Sequence, residues 1–318
     1  AIETGNLPPF IGIRIKPFSG DLTDRSVRTL DLFLTTLRQA AAGKLPKNFV
    51  ITLPKVTIAA HVAALDQVLT LLENKLRWPK GIFKIEFMVE TPQVIIGAEG
   101  SAPMTAIIKA GNGRCVSAHF GTYDYTALCN ITAAYQSITH SACDFAKDVL
   151  QVSLAQTGIN ISDGATTVMP VALHRAVVGG PSLTPQQEEE NRSAVYRAWK
   201  LHFENIRHGL RAGFYQGWDL HPAQLPIRYA AVYSFFLEGL QDASIRLKTF
   251  IDRAAQATLV GRVFDDAATG QGLLNFFLRG LNCGAITWEE MQVTGLTREE
   301  LQTRSFVKIL DGRKERQQ

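Results

Sequence analysis

The segment Phe83-Lys84-Ile85-Glu86-Phe87-Met88-Val89-Glu90-Thr91-Pro92 decides how this chain folds. It is a run of strand-forming residues stopped by a proline, which cannot continue a central strand. Alternation puts Ile85, Phe87 and Val89 on one face and Glu86, Met88 and Glu90 on the other. One face therefore needs an apolar layer against it. The other carries two carboxylates, the second at the strand tip.

The pattern repeats on both sides of this segment. Phe10 to Lys16 reads as a strand closed by Pro17, and Val27, Leu30, Leu34, Leu37 and Ala41 follow at helical spacing before Gly43. Phe49 to Leu53 is a second strand ended by Pro54 and Lys55, and Val62, Leu65, Leu69 and Leu72 form the next helical stripe. Downstream, Cys115 to Phe120 runs into Gly121-Thr122-Tyr123-Asp124. A helical stretch near Ala127 to Asp144 comes next, and the apolar Val149 to Leu154 falls in the place of the next strand. Asn160-Ile161-Ser162-Asp163-Gly164-Ala165-Thr166 reads as a polar insertion. Thr184 and Pro185 open a capped helix that ends near Gly213, and Glu188 to Glu190 suit its positive N-terminal end. Gln216 to Pro222 gives a short last strand. Helices follow at Tyr229 to Leu240, Ala243 to Leu259 and Leu273 to Arg279, with another opened by Thr297 and Glu300. Strands alternating with helices predict an α/β body with a parallel sheet over residues 1–228, and a helical extension over 229–318.

Composition narrows the function classes. The 318 residues are 46% hydrophobic and 19% charged, an ordinary globular balance. The net charge of +4 comes from 33 basic and 29 acidic residues that are spread along the chain, which argues against a nucleic-acid partner. The longest apolar runs, such as Tyr229 to Leu237, are too short to span a bilayer, so no membrane partner is expected. Cys115, Cys129, Cys143 and Cys283 have no metal-type spacing and read as reduced thiols of a cytoplasmic protein. The chain begins at Ala1 with no visible signal peptide, and it reads as a fragment of a longer protein.

Each strand ends in a chemically useful residue: Arg14 and Lys16, then Lys55, Glu90, Asp124 and His221. In a β/α barrel such ends converge on one face. Two carboxylates with water and substrate oxygens suit Mg²⁺, with Mn²⁺ as a substitute. Glu86, deeper on the same strand face, is expected to pair with a lysine or arginine, because a buried carboxylate needs a partner. Lys55 reads either as an anion ligand or as the partner of an acid. His119 shares a strand face with Ser117 near the metal loop and is a candidate base. His221 reads either as a fold residue bonded to a neighbouring loop or as catalytic. His140 and Asp144 read as a surface pair one helical turn apart. Asp265 and Asp266 read as helix caps, and Trp199, Trp218 and Tyr229 as core or interface aromatics.

Val89-Glu90-Thr91-Pro92, Gly121-Thr122-Tyr123-Asp124-Tyr125 and Asp219-Leu220-His221-Pro222-Ala223-Gln224 resemble, in order and spacing, three signatures of the citrate lyase β-subunit and HpcH/HpaI aldolase superfamily. Malate synthases share its barrel. The resemblance covers residues 10–230 and implies a TIM (β/α)8-type barrel with a C-terminal helical extension. It implies Mg²⁺ on Glu90 and Asp124, Arg14 at the oxygen of the reacting carbonyl, and a substrate carboxylate on the backbone of Gly121, Thr122 and Tyr123. The implied activity is a carbon–carbon lyase or aldolase acting through the enolate of a 2-oxo acid or acyl thioester. A malate-synthase-like condensation with acyl-CoA, suggested by Tyr125, and a non-enzymatic barrel are the alternatives. Relatives are commonly trimers or hexamers, so a homo-oligomer is expected, and because their helical extension can supply an acid to a neighbouring subunit's site, the resemblance also makes Asp265 or Asp266 a candidate acid. Two departures stand out. The first two of eight strands should precede Arg14, where only a short segment lies, and residues 149–171 differ from ordinary members.

Overall fold

The computed structural model describes residues 2–259 and 267–316. Six strands form one parallel sheet in sequence order: β1 (Ile11–Arg14), β2 (Phe49–Leu53), β3 (Lys84–Val89), β4 (Cys115–Phe120), β5 (Asn160–Ala165) and β6 (Gly217–Trp218). This is not a full eight-stranded barrel. It is a curled partial one, and a side-chain contact between its outermost strands measures the curl. Six flat strands spaced about 4.8 Å apart would put β1 and β6 roughly 24 Å from each other, yet the Arg14 guanidinium of β1 lies 5.1 Å from the ring centre of Trp218 in β6.

The register explains why the strands carry these residues. One lateral row reads Arg14, Thr52, Glu86, Ser117, Asn160, all polar, and it lies on the concave face with Met88, His119 and Ser162 in the next row. The opposite face carries Leu53, Phe87, Ala118 and Ile161 in register. The first three of these are fully or almost fully buried, as are Leu30, Leu34, Leu65 and Leu69 of helices Leu22–Ala40 and Ala59–Leu76. The helical stripes read from the sequence are therefore the apolar cover of the sheet.

Two segments differ from expectation. Val149 to Leu154 is the end of helix Ser141–Leu154, whose buried positions Cys143, Ala146, Lys147, Leu150 and Leu154 follow helical spacing. The fifth strand is the polar segment Asn160–Ala165. Its polarity is tolerated because its buried groups are paired: Ser162 Oγ lies 2.5 Å from His119 Nδ1, and Asp163 faces the buried Lys147 ammonium at 3.5 Å. His140 meets Asp144 through the backbone, the Asp144 N–H donating to the His140 carbonyl at 3.1 Å. Its Nδ1 accepts from the Ala142 N–H at 3.1 Å and caps that same helix.

The chain divides into two compact units that alternate in sequence. The first is Ala1–Thr167 with Phe214–Leu220, and the second is Val168–Gly213 with His221–Gln318. The second is helical among its described residues. Its helix Pro185–Arg211 starts with the capping box of Thr184 and Gln187. The two helices expected over 229–259 are one, Leu225–Leu259, because nothing between Leu240 and Ala243 breaks it. Thr297 and Glu300 do form a capping box, but on the short helix Arg298–Gln302, and Ser305 caps the separate helix Phe306–Glu315. All four cysteines are free thiols, and burial pushes Cys115 and Cys143 up to about 12. No described helix is long and apolar enough to cross a membrane.

Candidate functional site

Glu90 stands one residue beyond β3, and Pro92 at the first position of helix Pro92–Ile95 fixes where the strand stops. Thr91 anchors the corner by donating its hydroxyl to the Val56 carbonyl at 2.7 Å. Lys55, beyond β2, adopts a left-handed backbone (φ 51°), and its N–H donates to Glu90 Oε1 at 2.6 Å. Asp124 enters in the first turn of helix Thr122–Leu128, which follows β4 through Gly121. A Cβ on Gly121 would fall 2.5 Å from Glu90 Cβ and 2.7 Å from Glu90 Oε2. Glycine is thus what lets the Glu90 carboxylate lie against this turn.

These residues make one electrostatic cluster. The Lys55 ammonium meets Asp124 Oδ1 at 2.5 Å, with both side chains about half exposed (50% and 47%), whereas Glu90 is 3% exposed. Burial pushes the Glu90 carboxyl up. The Lys55 N–H and charge pull it back, and the hydrogen-bonded carboxyl of Asp124 raises it again. Two acids in side-chain contact call for a cation between or beside them, and Lys55 is the cation present. Among the described residues no group of three or more His, Cys, Asp and Glu is arranged to hold a metal. Two carboxylates that leave the other positions to water nonetheless fit Mg²⁺, which keeps several waters, and the ammonium on Asp124 marks where a cation is favoured.

Of the proposed carboxylate cradle, the Gly121 N–H is committed to the Val89 carbonyl at 2.9 Å. Thr122 and Tyr123, at the start of a helix, have N–H groups with no intrahelical acceptor. The Thr122 hydroxyl is buried without a hydrogen-bond partner, and a Cβ on Gly164 would fall 2.1 Å from it. The Tyr123 hydroxyl lies 3.2 Å from the Thr167 N–H, which donates to it, and 3.0 Å from Thr167 Oγ1.

Deeper on the concave face, Glu86 is held by two hydroxyls and not by the expected cation. Thr52 Oγ1 and Ser117 Oγ each donate to it at 2.9 Å. Its row neighbours are the reason: register places Thr52 and Ser117 directly beside it. Arg14 points its Nη1 to 3.8 Å from the sulfur of Met88, which shares the strand face of Glu90. His119, 1% exposed, stacks on Trp218 with ring centres 3.9 Å apart. Burial, and after it the Arg14 charge, hold its imidazole down at about 3, so it is neutral.

The structure therefore brings Glu90, Asp124, Lys55, Gly121 and Thr122 together, with Arg14, Met88, His119 and Trp218 in the adjoining concave face. His221 belongs to the second unit, where its Nδ1 accepts from the Ala223 N–H at 3.1 Å and caps the turn Pro222–Gln224. Asp265 and Asp266 lie outside the described residues. Sequence reasoning missed Ser162, because its strand was read as an insertion, and Trp218, which was read as a core or interface aromatic. Strand alternation across β6 is too short to reveal its facing.

The sequence profile of the family described as "Domain of unknown function (DUF6986)" matches residues 1–309, and the chain belongs to that family. No curated protein matches it by sequence. Among solved structures it is similar to a citrate lyase of Burkholderia xenovorans LB400, with TM-score 0.57 and 15% identity over 90% of this chain and 77% of that one. It is also similar to the malate synthase of Haloferax volcanii at 3 mM glyoxylate, with TM-score 0.50 and 13% identity over 91% of this chain and 78% of the other. At such identity the likeness establishes the fold alone.

Proposed function

We propose that this member of the family is a Mg²⁺-dependent carbon–carbon lyase of the citrate lyase type, acting through the enolate of a 2-oxo acid or acyl thioester. The observation that carries the reading is the convergence of Glu90 and Asp124 at adjacent strand ends, with a cation already drawn to Asp124. The fold shared with a citrate lyase and a malate synthase supports it. Glu90 and Asp124 would hold the metal, and Mn²⁺ would substitute for Mg²⁺. Bound there, the ion supplies positive charge beside an oxygen that becomes negative as the carbon–carbon bond breaks. Arg14 supports the same oxygen with its guanidinium, and the N–H groups of Thr122 and Tyr123 receive the substrate carboxylate. Burial of Glu90 keeps bulk water off one side of the site. Tyr125 gives no support to the acyl-CoA condensation, because it is buried edge-on against Phe120. The four free thiols suit a reducing compartment such as the cytoplasm.

Thermal unfolding with a panel of 2-oxo acids and acyl-CoA thioesters, each with and without Mg²⁺, tests the reading. A ligand that binds only the native state raises its melting temperature. At least one 2-oxo acid should do so only when Mg²⁺ is present. A panel in which no compound shows Mg²⁺-dependent stabilisation contradicts the proposal.

A further inference from the structure

An arginine that must bind a ligand's oxygen has to be held in place without being neutralised. Arg14 meets that requirement in an unusual way. Among the described residues no carboxylate pairs with it. Its guanidinium lies over the Trp218 indole at 5.1 Å, and Nη1 is 3.8 Å from the Met88 sulfur. A ring beneath a guanidinium takes none of its strong N–H donors, and the Met88 sulfur takes only one weakly, whereas a carboxylate partner would take two. The indole is itself supported: it stacks on His119 at 3.9 Å with 15° between the rings, and His119 is fixed by Ser162 at 2.5 Å. The relay Ser162, His119, Trp218, Arg14 thus crosses β5, β4, β6 and β1. It spans the two outermost strands, which no backbone hydrogen bond joins. A neutral imidazole can stack here without repelling the arginine.

We infer that Trp218 is a positioning residue for Arg14, holding the guanidinium over the indole so that the N–H donors not used on Met88 stay open to the carbonyl oxygen of a 2-oxo acid. The inference rests on the proposed role of Arg14. Glyoxylate is the probe, titrated in the presence of Mg²⁺, and Mg²⁺ is titrated separately without glyoxylate. Trp218→Leu should weaken glyoxylate binding by about tenfold, which lies between the affinity equivalents of an exposed and a desolvated cation–π contact, and leave Mg²⁺ affinity unchanged. Trp218→Phe, which keeps a π face, should stay within about threefold of wild type for glyoxylate. Glyoxylate binding by Trp218→Leu as tight as wild type overturns the inference, and so does a parallel loss of Mg²⁺. A second measurement needs no ligand and does not depend on Trp218→Leu folding. Arg14→Gln should shift tryptophan emission in the wild-type background and not in Trp218→Phe. An Arg14→Gln spectrum identical to wild type overturns the contact. Wild-type protein that binds neither glyoxylate nor any compound of the panel, with the emission shift intact, overturns the proposed function, and the positioning role with it, and leaves the stack standing.

Discussion

Two charged clusters sit at opposite ends of the same sheet, and they are built differently. At the N-terminal end, Arg114, one residue before β4, is 3% exposed and bonds Glu73 through two nitrogens at 2.5 and 2.8 Å. It also meets Asp66 at 2.5 Å, Thr70 at 3.0 Å and the Phe83 carbonyl at 3.2 Å. Glu73 takes the N–H groups of Gly81 and Phe83 as well. At the C-terminal end, Glu90 is just as buried but accepts one backbone N–H, and its neighbours Asp124 and Lys55 are half exposed. The first cluster has its polar atoms engaged within the protein and acts as a clamp. The second is open to solvent, with two acids against one lysine, and that is the arrangement a ligand can complete. Burial of a carboxylate alone does not mark a site; what matters is whether the fold has already satisfied it.

The comparison breaks first at Arg114. Arg114→Leu leaves Glu73 and Asp66 facing no cation, and losing one partner of a buried pair costs about 3–5 kcal/mol. Urea unfolding should show a loss of that size, with Mg²⁺ affinity unchanged in the protein that remains folded. A loss under about 1 kcal/mol would mean the clamp is not one.

A second closed cluster, in the helical unit, adds a pH dependence. Burial pushes Glu300 up, but Arg313, the Thr297 N–H and Arg316 outweigh it and bring the carboxyl to about 2. A carboxyl whose folded value is depressed stabilises the protein above its ordinary value of 4.5, and that contribution fades as pH falls from there towards 2. The shift corresponds to roughly 3 kcal/mol. Stability should fall over this window in the wild type and fall less steeply in Glu300→Gln. Equal slopes would contradict the assignment.

The smallest effect belongs to the open cluster. Lys55→Ala removes a half-exposed ion pair and should cost under about 1 kcal/mol in urea unfolding. A loss as large as that of Arg114→Leu would make Lys55 a structural clamp and erase the contrast.

Much of this was legible in the sequence because burial writes periodicity. Phe87 and Val89 face the apolar side, and Glu86, Met88 and Glu90 share the other, as alternation requires. The acids at strand ends could be placed because proline and glycine mark where strands stop. What stayed hidden was the concave face, whose residues satisfy one another across strands distant in sequence. Ser162 and Asp163 give β5 a polar text that looks like a loop until His119 and Lys147 are seen beside them. The partners of Glu86 are hydroxyls 34 and 31 residues away, chosen by register and not by charge. The role of Trp218 depends on the curl of the sheet, which no local pattern encodes.

The central claim is that Glu90 and Asp124 together hold a divalent cation at the open end of the sheet. Calorimetric titration of Mg²⁺ into wild type, Glu90→Ala and Asp124→Ala tests it most directly, with circular dichroism to verify that each variant is folded. The account predicts binding in the wild type and none in either folded variant. Undiminished Mg²⁺ affinity in both variants would contradict it.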